Sequence, residues 1–165
     1  MNSKRKNQNR KITEAVVGIA MFAALAYGVT FVFRIPVSFL TFDAKDAVIT
    51  VASFVYGPLA GVIMSLLTAL IELFTVSGTG FYGFVMNFVS SAVFAATASG
   101  IYKLWRNPRG AVLGPVFAVL TMTGTMLLMN LWITPIYMGA PRDQVVAMIP
   151  TLLFPFNLAK GLLNA

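Results

Sequence analysis

The chain has 165 residues, of which 58% are hydrophobic and 10% are charged, and its mean hydropathy is +0.83. Since about 25% of the residues of a soluble domain are charged, this composition excludes the water-soluble globular class and predicts a membrane protein. The sequence contains no His and no Cys, which excludes imidazole and thiolate metal sites, disulfides and His-based catalytic triads. Neither a metal site nor side-chain catalysis is expected, and the net charge of +7 indicates membrane topology rather than nucleic-acid binding.

The first predicted membrane span follows a basic segment. Five basic residues precede it: Lys4, Arg5, Lys6, Arg10 and Lys11. After Glu14 an uncharged stretch runs from Ala15 to Phe33, which is long enough to cross a bilayer and exceeds the roughly 7 to 15 apolar residues of a cleaved signal peptide. We therefore predict a basic cytoplasmic tail over 1–12 and a single membrane domain over 13–165.

The number of spans depends on the Gly57-Pro58 pair. Pro is tolerated in the first turn of a helix and costs about 3 kcal/mol or more in its interior, so the apolar run around this pair is expected to break into two helices. The break gives six spans, and the last contains Pro150 and Pro155, which leaves open whether that helix is complete. The predicted spans are 13–33, 46–56, 59–75, 83–104, 111–133 and 144 to the end.

The distribution of basic residues supports six spans, because cytoplasmic loops carry an excess of Lys and Arg. With six spans, the five basic residues of the tail lie on the cytoplasmic side together with Lys103, Arg106 and Arg109. Only three basic residues then lie outside: Arg34, Lys45 and Arg142. The predicted fold class is therefore an all-α integral membrane protein with six transmembrane helices and a cytoplasmic amino terminus. The second helix covers only about half of the hydrocarbon thickness, which predicts an enclosed pocket near its outer end.

Polar side chains within the spans are candidates for a site, because such groups are costly in lipid. They are Glu72, Asn87, Asn130, Thr134, Asn157, Lys160 and Asn164. For each Asn, an interhelical hydrogen bond and a ligand contact both remain open. Glu72 is either an interfacial carboxylate in water or a polar group of the pocket. Lys160 either extends to the cytoplasmic interface or meets a partner or a ligand oxygen.

Small residues form two stripes, and aromatic residues collect in the outer loops. Ala20, Ala24 and Gly28 recur every four residues, which predicts close packing against a helix of this chain or of a partner. A second stripe, from Gly57 to Ala69, favours internal packing. Three predicted outer loops, at 39–43, 78–83 and 134–139, are apolar, and the second and third contain Gly. They form either an aromatic belt at the membrane interface or a lid over the pocket, and we favour the lid.

Several of these segments resemble a known family. The sequences are Phe39-Leu40-Thr41-Phe42-Asp43-Ala44-Lys45-Asp46, Tyr56-Gly57-Pro58-Leu59-Ala60-Gly61 and Met86-Asn87-Phe88. They resemble the substrate-binding S component of energy-coupling factor (ECF) transporters. Three further segments resemble its riboflavin-specific members: Met129-Asn130-Leu131, Thr134-Pro135-Ile136-Tyr137 and Pro155-Phe156-Asn157-Leu158-Ala159-Lys160. The similarity covers essentially the whole chain after the basic tail.

The resemblance implies a multi-pass protein of the bacterial cell membrane that binds riboflavin from outside as cargo, with no cofactor of its own. It implies as partners one transmembrane coupling subunit, docked on Ala20, Ala24 and Gly28, and two ATP-hydrolysing subunits. No nucleotide-binding motif occurs in the chain, so ATP hydrolysis is expected in the partners. The ligand contacts implied or proposed are Asn130, Lys160, Asn87, Leu40, Thr41, Phe42, Asp43, Asn157, Thr134, Tyr137 and Glu72.

These residue types suit a flavin. Aromatic and Leu side chains cover its dimethylbenzene end and flat ring system. An Asn carboxamide donates and accepts hydrogen bonds, as the pyrimidine edge requires, and Lys160 donates to carbonyl or ribityl oxygens. The alternatives are an S component for another vitamin, a structural subunit without a ligand, and an enzyme acting on lipid. The enzyme is disfavoured, because no second catalytic group is spaced near Glu72, Asp43 or Asp46.

Overall fold

Long helices joined by short connections make up the computed structural model, which describes the backbone of residues 2–165 and the side chains of residues 5–165. The elements are α1 (Asn2–Val32), β1 (Ile35–Val37), β2 (Leu40–Phe42), α2 (Lys45–Tyr56), α3 (Pro58–Thr75), α4 (Gly80–Leu104), α5 (Pro108–Met138), α6 (Arg142–Met148), a π-helical turn (Ile149–Leu153) and α7 (Phe154–Asn164). From Asn2 onward the backbone of the predicted tail belongs to α1, and the side chain of Lys4 lies outside the described residues.

Five helical segments among the described residues are long and apolar enough to cross a membrane. They cover Arg5–Val32, Pro58–Thr75, Gly80–Leu104, Pro108–Met138 and Arg142–Asn164. The remaining helix, α2, has 12 residues and packs against α1, α3 and α4. This arrangement agrees with five long spans and one short one, while the count of six spans, the extent of the tail and the cytoplasmic amino terminus stay predictions.

The predicted break at Gly57-Pro58 is confirmed. Gly57 has φ 95° and ψ 170°, a backbone conformation that residues with a Cβ rarely adopt. Its N–H donates to the carbonyl oxygen of Ser53 at 2.8 Å, which ends α2. Pro58 then occupies the first turn of α3, where its missing N–H has no helical partner to lose.

The predicted loop at 134–139 is wrong, because α5 continues through Pro135 to Met138. Proline lacks a backbone donor, but membrane helices tolerate it where neighbouring groups satisfy the freed carbonyl. The helix ends at Gly139, whose φ is 62° and whose N–H donates to the carbonyl oxygen of Pro135. Thr134 and Tyr137 therefore have helical positions and not loop positions. The loop predicted at 78–83 is also shortened, since α4 begins at Gly80.

A small β-hairpin occupies the first outer loop, where the sequence predicted an irregular apolar segment. β1 and β2 pair antiparallel, with Ile35 opposite Phe42 and Val37 opposite Leu40. The pairing provides hydrogen-bond partners for backbone N–H and C=O groups of this apolar loop, which water does not reach near a membrane. The guanidinium of Arg34 donates to the carbonyl oxygen of Val76, which ties the hairpin to the end of α3.

Small side chains allow the helices to approach closely in two buried clusters. The first cluster joins α1, α2, α3 and α4 and contains Ala23, Ala26, Ile49, Ala52, Ala60, Met64 and Ala95. The second joins α4 and α5 and contains Phe94, Ala98, Ala118, Val119, Met122 and Met126. A Cβ added at Gly61 would meet the side chains of Ser53 and Ala95. The stripe on α3 therefore packs inside the protein, as predicted.

Candidate substrate-binding site

A partly open cavity lies among the hairpin, the end of α3, the start of α4, the end of α5 and α7. Its empty space, counted together with its opening to the surroundings, is about 890 Å³. All three segments that were predicted to form a lid contribute to its wall. They contribute through Phe39, Leu40 and Thr41, through Thr79, Tyr82 and Gly83, and through Thr134 and Tyr137.

All but two of the predicted ligand contacts line this cavity. Those on its wall are Leu40, Thr41, Asp43, Glu72, Asn87, Thr134, Tyr137, Asn157 and Lys160. The fold thus brings together polar groups from five different segments of the chain. Their contact with a substrate stays a prediction.

Asn130 and Phe42 lie behind the cavity wall. Asn130 is fully buried, and its Nδ2 donates to the carbonyl oxygen of Met126 at 2.7 Å. Its Oδ1 accepts from the hydroxyl of Thr134 at 2.8 Å, so Thr134 stands between Asn130 and the cavity. Phe42 packs against Phe156 with ring centroids 4.4 Å apart. In this geometry both residues support side chains that line the cavity.

Two buried ion pairs lie at the cavity wall, to which they contribute Asp43, Glu72 and Lys160. Lys45 Nζ donates to both carboxylate oxygens of Glu72, at 2.8 and 2.7 Å. Lys160 Nζ donates to Asp43 Oδ2 at 2.9 Å, and Lys45 Nζ lies 3.6 Å from the same oxygen. Burying a charge is costly unless it is paired and hydrogen-bonded, and these contacts provide the pairing.

These pairs decide between the alternatives that the sequence left open for Lys160 and Glu72. Lys160 is 3% exposed and paired with Asp43, so it does not extend to the cytoplasmic interface. Glu72 is 4% exposed and bound to Lys45, so it is not an interfacial carboxylate in water. Lys45 is also fully buried, and the side of the membrane on which it lies stays a prediction. In each case a partner distant in sequence holds the charge inside.

The segment before α2 is fixed to the last helix by Asn164. Its Nδ2 donates to the carbonyl oxygen of Asp43 at 2.9 Å, and its Oδ1 accepts from the backbone N–H of Ala47 at 3.0 Å. Burial raises the pKa of the Asp43 carboxyl, but the ammonium groups of Lys160 and Lys45 lower it by more, so its pKa lies below the ordinary value. Asp43 therefore stays ionised and keeps its pairing.

Sequence reasoning missed Lys45 and Asp46 as members of this charged group. Asp46 is fully buried, and neither of its carboxylate oxygens has a hydrogen-bond partner among the described side chains. The available signal was the concentration of three charges over 43–46, directly before an apolar helix. The topology argument instead assigned this segment to an outer loop.

The small-residue stripe on α1 faces away from the protein. Ala20, Ala24 and Gly28 are exposed, whereas Ala23 and Ala26 are buried in the first core cluster. No other atom lies within 4 Å of the place that a Cβ would take at Gly28. Among the described residues, therefore, no helix of this chain covers the stripe.

Comparison with known proteins decides the family. The profile described as "ECF transporter, substrate-specific component" matches residues 14–165. The chain belongs to this family. A solved S component, described under "Structure and mechanism of the S component of a bacterial ECF transporter", matches this S component with a TM-score of 0.77 at 30% identity, covering 92% of this chain and 89% of that chain. The riboflavin transporter RibU of Staphylococcus aureus (strain TCH60) is 30% identical over 172 residues, covering 98% of this chain and 89% of its own.

Family membership fixes the class of function. An ECF S component is a multi-pass protein of the cell membrane that binds a transported substrate and is not an enzyme. The alternatives of a lipid-acting enzyme and of a structural subunit without a ligand are thereby excluded. The resemblance derived from the sequence segments is confirmed.

Proposed function

We propose that this S component captures riboflavin for uptake, and that the vitamin is its transported substrate and not a resident cofactor. The observation that carries the proposal is the similarity to a riboflavin transporter along 98% of the chain. The three sequence segments with riboflavin-specific character lie on α5 and α7, and both helices border the cavity.

The chemistry of the cavity wall supports a flavin. Aromatic and aliphatic side chains supply an apolar surface: Phe39, Leu40, Tyr82, Phe84, Tyr137 and Phe156. Such surfaces suit a flat aromatic ring system. Of the three N–H donors of the Lys160 ammonium group, one binds Asp43, which leaves the others for a carbonyl or hydroxyl oxygen of the ligand. Asn157 on the same helix donates to the carbonyl oxygen of Leu153 and keeps its own oxygen as an acceptor.

The exposed stripe on α1 supports docking onto a partner helix. Ala20, Ala24 and Gly28 have side chains that let a second backbone approach closely, which is how helices associate in membranes. We assign this surface to the transmembrane coupling subunit of the transporter. Two ATPase subunits bound to that subunit supply the energy for uptake.

A flavin titration tests the proposal. The protein purified in detergent is expected to carry yellow colour, or to quench riboflavin fluorescence saturably at one flavin per chain. Lys103→Met, which removes an exposed lysine from the end of α4, is the matched control and is expected to bind normally. A folded, monodisperse sample that neither carries nor quenches flavin would contradict the proposal and favour another vitamin.

A further inference from the structure

The carboxamide of Asn87 has a defined orientation at the cavity wall. Its Nδ2 donates to Glu72 Oε2 at 3.1 Å. An ionised carboxylate offers only acceptors, so the nitrogen of the carboxamide faces Glu72 and Oδ1 points the other way. Asn87 is half-buried and lines the cavity, and no hydrogen bond to its Oδ1 occurs among the described residues. Oδ1 is therefore an acceptor available to a bound molecule.

Glu72 is itself held in place by Lys45. Both carboxylate oxygens of Glu72 accept from Lys45 Nζ, at 2.8 and 2.7 Å. Lys45 is fully buried and is absent from the cavity wall among the described residues. Its ammonium group has only donors, so it fixes both oxygens of Glu72 as acceptors. Glu72 therefore accepts hydrogen bonds from Lys45 and from Asn87.

We propose that Lys45 and Glu72 are positioning residues that present Asn87 Oδ1 to the substrate, so that Asn87 selects a ligand with an N–H or O–H donor at this place. The inference rests on the proposed function, since riboflavin offers its ring N–H and its ribityl hydroxyls as donors. A ligand with only acceptors at this place leaves Asn87 Oδ1 unpaired once the ligand covers it, and sites built for a hydrogen bond reject such analogues strongly.

Replacing Glu72 with Gln, which has nearly the same shape, tests whether the orientation of the Asn87 carboxamide controls substrate binding. A double variant then separates this orientation from the charge at the site. In Glu72→Gln the side-chain oxygen still accepts from Lys45, while the new amide donates to Asn87 Oδ1 and turns its nitrogen to the cavity. Riboflavin affinity is expected to fall about tenfold, the effect of one lost hydrogen bond. The double variant Glu72→Gln with Asn87→Asp keeps the total charge, accepts from Gln and again presents an oxygen to the ligand. Its affinity is expected to return to within about threefold of the original value.

Two flavin analogues identify the donor. Lumiflavin lacks the ribityl hydroxyls, and 3-methylriboflavin lacks the ring N–H. The original protein is expected to bind at least one of them about tenfold more weakly than riboflavin, and Glu72→Gln is expected to reduce that preference. Glu14→Gln makes the same chemical change at an exposed carboxylate and is expected to alter neither affinity nor preference.

The outcomes distinguish this inference from the proposed function. Absence of riboflavin binding by the original protein would overturn the proposed function and the inference together. Normal riboflavin binding, with both analogues bound as tightly as riboflavin, would overturn the inference alone, and this measurement needs no variant. The same conclusion follows if folded Glu72→Gln binds riboflavin unchanged, or if the double variant is folded and binds no better than the single one.

Discussion

Replacing Lys160 with Met tests whether its ion pair fixes the first loop to the last helix. The pair joins Nζ to Asp43 Oδ2 over 2.9 Å, with side-chain exposures of 4% and 1%. The substitution leaves the carboxylate of Asp43 with Lys45 at 3.6 Å as its nearest cation. Removing one partner of a buried pair costs about 3–5 kcal/mol, and the remaining cation favours the lower end, about 3 kcal/mol. The free energy of unfolding is expected to fall by this amount.

Unfolding in mixed micelles with increasing SDS, followed by tryptophan fluorescence, measures this change. Lys103→Met is the control, because this exposed lysine is expected to change stability by no more than about 0.5 kcal/mol. Adding Asp43→Asn to Lys160→Met removes the unpaired charge and is expected to recover more than half of the loss. Equal stability of the two lysine variants, or a double variant no more stable than Lys160→Met, would refute the reasoning.

The remaining predictions concern docking, binding and backbone strain. The double variant Ala20→Trp with Ala24→Trp is expected to leave riboflavin affinity unchanged and to block uptake by the assembled transporter. The control, Leu25→Trp, is also exposed but lies about 100° from Ala24 around the helix axis, and it is expected to preserve uptake. Normal uptake by the double variant would exclude docking on this stripe. Asn130→Ala removes the acceptor that holds the hydroxyl of Thr134 and is expected to weaken flavin binding by about 1–3 kcal/mol in calorimetry; unchanged affinity would show that Asn130 does not support the site. Gly57→Ala is expected to lower the free energy of unfolding by about 1–2 kcal/mol, because φ is 95° there; an unchanged unfolding curve would show that the break tolerates a Cβ.

The membrane segments could be predicted from the sequence because their signals are local. The break at Gly57-Pro58 follows from the conformational preferences of two adjacent residues, and it appears where expected. The end of α5 could not be predicted in this way. A helix continues through Pro135 only where its surroundings satisfy the freed carbonyl, and the sequence around Pro135 does not contain that information.

The same difference between local and long-range signals applies to the candidate site. Intramembrane polar residues are conspicuous in an apolar sequence, so Glu72, Asn87 and Lys160 were found from their cost in lipid. Their partners were not found, since Lys45 lies 27 positions from Glu72 and Asp43 lies 117 positions from Lys160. Pairing across such separations depends on which helices are neighbours and on their rotation about their axes.

The π-helical turn, Ile149–Leu153, joins α6 to α7 with one residue more than an α-helical turn contains. Because the wide turn takes up the extra residue, deleting one residue from it would leave a regular helix in which Asn157, Lys160 and Asn164 keep nearly their present directions. A deletion between this turn and Asn157 has no wide turn to absorb it, and it would rotate the polar residues that follow by about 100° relative to α6. The position of a one-residue deletion along this segment therefore decides whether the polar face of the last helix is kept or displaced.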